Sequence, residues 1–125
     1  AMSAGLTMLH YLNDHSEVYE QISASGQYLA KELAKVNTAL GKNYTVNHLG
    51  SMISIFFTDE AVNDFDGAKS CDLEMFGKYF QGMLNEGVYL PPAQFESWFL
   101  SISLSAEDLD HIVKSHEKVL KKLLA

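Results

Sequence analysis

The 125-residue sequence predicts an α+β fold: a small antiparallel or mixed sheet of three or four strands packed against helices. Three observations predict it. Four segments carry apolar residues at helical spacing. Two runs rich in β-branched and aromatic residues, 44–46 and 51–57, stand next to each other with only Asn47-His48-Leu49-Gly50 between them. A ribbon holding both prolines and the only tryptophan, 87–99, then runs into an alternating segment, 98–103. The expected order is α-α-β-β-α-β-β-α in a single domain over 1–125.

The leading helices occupy 1–41. Residues 2–13 repeat apolar side chains at Met2, Leu6, Leu9 and Leu12. After a break, Asp14 followed by Glu17 has capping-box spacing, and the second helix carries Val18, Ile22, Leu29, Leu33, Val36 and Leu40 on one stripe. Gly41 stands where a helix-ending residue with positive φ is wanted. The hairpin spans 44–57, its turn in Asn47–Gly50, with Ile53, Ile55 and Phe57 sharing one face of the second strand. Residues 58–71 read as a polar connection. Its acids Asp59, Glu60, Asp64 and Asp66 lack the spacing of a calcium loop and are expected in solvent. A helix over 72–86 would turn Leu73, Phe76, Tyr79, Phe80, Met83 and Leu84 inward and stop at Gly87. The ribbon and a strand fill 88–103, with Trp98, Leu100 and Ile102 alternating. A terminal helix over 105–124 is capped by Ser105 with Asp108 and has the stripe Leu109, Ile112, Val113, His116, Val119, Leu120 and Leu123.

Composition narrows the function. Apolar residues make up 47%, enough for a real core, while a net charge of −7 argues against a nucleic-acid partner. No apolar run approaches the roughly 20 residues that span a bilayer, and no secretory signal is visible. The lone Cys71 excludes an internal disulfide and, with Asp72 beside it, makes a poor nucleophile. A reducing, cytoplasmic location is the expectation.

Catalytic motifs are absent. His111 and His116 are five apart, no HExxH or HxxxH pattern occurs, and no metal site is expected. His116 falls on an apolar stripe, where a hydrogen-bonded core histidine is the default. There is no nucleophile elbow, P-loop or dinucleotide fingerprint. Glu96, wedged between Phe95 and Trp98, is the one carboxylate in the apolar ribbon. From residue type alone it either hydrogen-bonds the turn around Pro91 and Pro92 or faces a ligand.

Three blocks carry a family resemblance: Ala1-Met-Ser-Ala-Gly-Leu-Thr-Met-Leu9, Gly50-Ser-Met-Ile-Ser-Ile-Phe-Phe57 and Gly87-Val-Tyr-Leu-Pro-Pro-Ala-Gln-Phe-Glu96. With Glu107-Asp-Leu-Asp110 opening the last helix, they resemble the C-terminal segment of the glutamate-1-semialdehyde 2,1-aminomutases. These are class III aminotransferase relatives that use pyridoxal phosphate. The third block is the most specific, and the likeness covers essentially the whole chain. It implies the small C-terminal domain of a fold-type I enzyme, an isomerase feeding tetrapyrrole (porphyrin) synthesis. The large cofactor-binding domain would be part of the same polypeptide, and the intact enzyme a homodimer. The cofactor-bearing Lys and the other cofactor-binding residues would lie outside this segment. No catalytic or cofactor-binding residue is therefore expected here, and the isolated segment is expected to be inactive.

The resemblance also implies that Glu96, and less strongly Gln94, face the substrate cleft, while Phe95 and Trp98 pack in the core or between domains. Departures from the family pattern fall in the same ribbon: Pro91-Pro92-Ala93 for Ala-Pro-Ser, Ser97-Trp98 for Ala-Gly, and Ser103-Leu104 before the last helix. Two other readings stand beside this one. The segment could belong to another class III transaminase, although the chain has no arginine to grip a substrate carboxylate. It could also be a standalone interaction module that presents an apolar face of the first helix and Trp98.

Overall fold

The computed structural model describes residues 1–125. Its elements are α1 (Met2–Asp14), α2 (Glu17–Ala39), β1 (Thr45–Leu49), β2 (Met52–Phe56), α3 (Phe65–Lys69), α4 (Leu73–Asn85), β3 (Trp98–Phe99) and α5 (Ala106–Leu124). The sheet is antiparallel throughout, in the order β1-β2-β3. The α+β class is as predicted, with three strands.

Helix α2 is the spine of the layer above the sheet, packing on β1, β2 and α5, while α4 packs on α5. Its approach to the hairpin is close. A Cβ on Gly26 would lie 2.0 Å from the Gly50 carbonyl oxygen, so only glycine lets the helix and the turn meet. The core formed this way contains Leu29 and Leu33 of α2, Ile53 and Ile55 of β2, Tyr79 and Met83 of α4, and Leu109 and Leu120 of α5. At the helix ends, Gly41 and Gly87 take positive φ values of 71° and 82° as predicted. Gly41 N–H donates to Thr38 O and Lys42 N–H to Asn37 O, the paired bonds of a Schellman motif. The Ser105/Asp108 capping box of α5 is complete in both directions.

Several predicted details are corrected. Asp14 does not cap α2, because it is the last residue of α1. The break is only His15 and Ser16, and the N-cap Ser16 is itself helical and makes no side-chain cap bond. Glu17 meets His15 Nδ1 at 3.0 Å instead. The hairpin turn is Gly50-Ser51 rather than 47–50, since β1 continues pairing to Leu49 opposite Met52. Gly50, with φ 58°, is the first of the two turn residues, where a type II′ connection needs positive φ.

The connection 58–71 is more than a solvated loop. Asp64 accepts from Gly67 N–H at 2.8 Å and caps the one-turn helix α3. Val62, Ala68 and Cys71 form a small second core with Phe56. On α4, Leu73 and Leu84 point outward and only Phe76, Tyr79 and Met83 are buried. The ribbon forms no strand before Trp98, and β3 is two residues long, so the order is α-α-β-β-α-α-β-α. Prolines 91 and 92 lack the N–H a ladder needs. Beyond β3 the chain turns at residues 101–104, where Leu104 N–H reaches Ser101 O, leaving Ile102 half exposed.

A candidate substrate cleft built by the ribbon and the last helix

A cleft of about 720 Å³ opens between the ribbon and the start of α5. Leu29, Trp98, Leu104 and Ile112 give it apolar walls, and Tyr89, Glu96, Asp108 and His111 bring its titratable groups. Each wall has a local cause. Gly87 ends α4 and turns the chain into the ribbon, whose Val88 and Leu90 alternate inward to the core while Tyr89 stays exposed. Trp98 pairs with Ile53 across β2–β3, which buries its side chain to 5% exposure against the core. The capping box fixes where α5 begins, and the hydroxyl and N–H of Ser105 hold the Asp108 carboxyl below its ordinary range. His111 Nε2 donates to Glu86 O at 2.8 Å, which ties α5 to the end of α4.

Glu96 follows a turn that its own backbone closes: the Glu96 N–H donates to Ala93 O at 3.1 Å. The turn is thus held by backbone, and Glu96, which is exposed, is one of the residues lining the cleft. Gln94 does not reach it. The side chain is 5% exposed and points beneath the ribbon, where Nε2 donates to Ile55 O at 2.8 Å and Oε1 has no partner. Phe95 is half exposed and stacks on Phe65 with ring centroids 5.4 Å apart. The expected packing role thus holds for Trp98, whereas an exposed Trp98 face does not exist.

No protein-family model matches the chain. It is 44% identical over 123 residues to the glutamate-1-semialdehyde 2,1-aminomutase of Cytophaga hutchinsonii, a match covering 98% of this chain and 29% of that protein. With the enzyme of the same name from Bacillus subtilis it shares 42% identity over 123 residues, 98% of this chain and 28% of the relative. The chain belongs to the glutamate-1-semialdehyde 2,1-aminomutase family.

Among solved structures, an omega-transaminase from Sphaerobacter thermophilus superposes with a TM-score of 0.81 at 18% identity, covering 99% of this chain and 28% of that one. A structure described as a transaminase with PLP bound gives 0.69 at 16% identity, over 86% of this chain and 24% of that one. These likenesses show the fold. The chain spans under a third of the length of the aminomutases it matches.

Among the residues that line this cleft, Asp108 and His111 were not marked by the sequence. The capping pattern gave Asp108 a structural role, and His111 lies off the apolar stripe, so nothing local marked either as a cleft residue. His116, by contrast, is buried as expected: Nε2 donates to Asn37 Oδ1 at 3.0 Å and Nδ1 accepts from Tyr79 Oη at 2.8 Å. Burial pushes its pKa down to about 4 and raises the Tyr79 hydroxyl well above its usual range. Cys71 is also buried, its thiol pKa raised by desolvation and its Sγ–H donating to Gly67 O at 3.3 Å. Neither group opens onto the cleft.

Proposed function

We propose that this chain is the C-terminal small domain of a pyridoxal-phosphate-dependent glutamate-1-semialdehyde 2,1-aminomutase and supplies one wall of its substrate cleft. The observation that carries the reading is Glu96, whose turn is closed by backbone and which lines a cleft of about 720 Å³ beside Trp98. A carboxylate on an apolar wall is a partner for a primary amine, and this reaction moves an amino group from C2 to C1 of its substrate. Glu96 would orient that amine, and the apolar floor would exclude water while the domain closes.

The cofactor does not fit this chain's own residues. No lysine lines the cleft, and the lysines sit on wet faces, several paired with carboxylates, as Lys78 is with Glu74 at 2.7 Å. Its electron-sink chemistry would come from the rest of the polypeptide. The same missing portion is the natural cover for two exposed apolar surfaces. One is α1, in which no residue is buried and Met2 is 90% exposed; the other is the Phe65–Phe95 pair. The intact enzyme would act as a cytoplasmic homodimer. No helix of the chain is long and apolar enough to cross a membrane.

The transaminase fold of the structural neighbours keeps a second reading in view, a small domain serving an external amino acceptor. The full-length polypeptide assayed with glutamate-1-semialdehyde and no added amino donor separates the two. Sustained 5-aminolevulinate formation is expected, and turnover only with an added donor would establish the transaminase instead.

A further inference from the structure

The edge of the sheet holds an exchange of hydrogen-bond donors beside Glu96. Strand β3 pairs Trp98 with Ile53, and Leu100 N–H donates to Ser51 O. Residues alternate between bonded and non-bonded pairs in an antiparallel ladder, so the next bonded pair in this register is Glu96 with Ile55. The Ile55 carbonyl would take the Glu96 N–H. It does not: Glu96 N–H is turned away to Ala93 O at 3.1 Å, and the side-chain amide of Gln94 donates to Ile55 O at 2.8 Å. Ser97, opposite Ser54 in the same register, keeps its place through a 3.0 Å hydroxyl pair.

We propose that Gln94 is a positioning residue that takes the place of the Glu96 backbone in the ladder, peeling Glu96 off the sheet edge and leaving it in the turn from which it lines the cleft. The amide achieves this at a cost, for its Oε1 is buried without a partner. A methionine or leucine of similar volume would bury no such acceptor. A polar group kept in a 5%-exposed site against that cost is accounted for by the donor it supplies. Without it, the Ile55 carbonyl is left buried, and the nearest donor in register is the Glu96 N–H itself. The ribbon would then zip on by one pair and draw Glu96 out of the turn it now closes with Ala93. Ser54–Ser97 fixes the point at which the peeling begins.

The role rests on the reading of Glu96 as a cleft carboxylate, and two measurements separate the claims. The first uses the 125-residue chain and through-hydrogen-bond scalar couplings by NMR. The wild type should couple the Glu96 amide nitrogen to the Ala93 carbonyl carbon. In Gln94→Met that coupling should vanish and one to the Ile55 carbonyl carbon appear; a retained Ala93 coupling would overturn the proposal. Where Gln94→Met does not fold, Gln94→Glu decides, because a carboxyl donates to Ile55 only while protonated. The Ala93 coupling should then be present at pH 5 and lost at pH 8, and an unchanged coupling across that range would overturn it equally.

The second uses the full-length polypeptide. Gln94→Met should raise KM about tenfold with a smaller change in kcat, and add nothing in a Glu96→Gln background. Additive effects would contradict a role exerted through Glu96. If Glu96→Gln alone left kcat/KM unchanged, the substrate reading of Glu96 would fall, and the couplings would still decide the role of Gln94.

Discussion

Single residues in this chain divide sharply between those that hold the fold and those that are left free by it. His116, Tyr79 and Asn37 form a buried polar chain joining α5, α4 and α2, and Asn37 passes it on to Tyr44 O at 3.3 Å. The folded protein keeps His116 neutral down to about pH 4, whereas the unfolded chain takes up a proton near pH 6.5. Unfolding therefore binds a proton between those values. The stability gained from the neutral imidazole is complete above pH 6.5 and is lost as pH falls toward 4, on the order of 3 kcal/mol. Urea midpoints at pH 7 and pH 4.5 should show that fall, and a His116→Gln variant should lack that part of it. The histidine's structural role was legible from its place on the α5 stripe. Its partners were not, because Asn37 and Tyr79 lie 79 and 37 residues away and only the fold brings them together.

At the scale of elements, α2 and α5 were legible because long amphipathic stripes and a capping box specify them locally. The failures fall where tertiary context decides. The two-residue break at His15-Ser16 denied Asp14 a capping conformation, and a run of loop-like polar residues folded α3 once Asp64 found the Gly67 amide. The ribbon lost its predicted strand because its two prolines carry no N–H and the Gln94 amide takes the Ile55 carbonyl in place of a backbone donor.

The close approach of α2 to the hairpin gives a direct test of packing. Gly26→Ala should lose about 1–3 kcal/mol to the clash with Gly50 O, against the gain of about 1 kcal/mol in helix propensity that the same change brings at an open site. Denaturant unfolding of the variant measures the balance. Helix α1 behaves in the opposite way. With no buried side chain to lose, Leu6→Gln with Leu9→Gln should change the chain's stability by less than about 0.5 kcal/mol, yet lower the melting temperature of the full-length polypeptide. An equal effect in both would place the partner of α1 within this segment.

For the whole molecule, fold class and family were both legible, the first from periodicity and the second from the ribbon Gly87–Glu96. The cleft was legible only at Glu96, since Asp108 and His111 reach it from a helix whose sequence announces only its cap and its core face. In the proposed reading the chemistry is divided in the same way, this segment supplying a cleft wall that includes Glu96 and two exposed apolar surfaces. Mixed with pyridoxal phosphate, the 125-residue chain should develop no stoichiometric covalent cofactor absorbance, and one modified lysine per chain would contradict that division.

The central claim is that Glu96 meets the substrate's amine across the cleft, and kcat/KM of the full-length polypeptide for glutamate-1-semialdehyde tests it most directly. Loss of a charge-assisted hydrogen bond in Glu96→Gln should lower that ratio by about 10- to 100-fold, with the melting temperature unchanged. A ratio equal to the wild type's would contradict the claim and leave Glu96 a surface carboxylate.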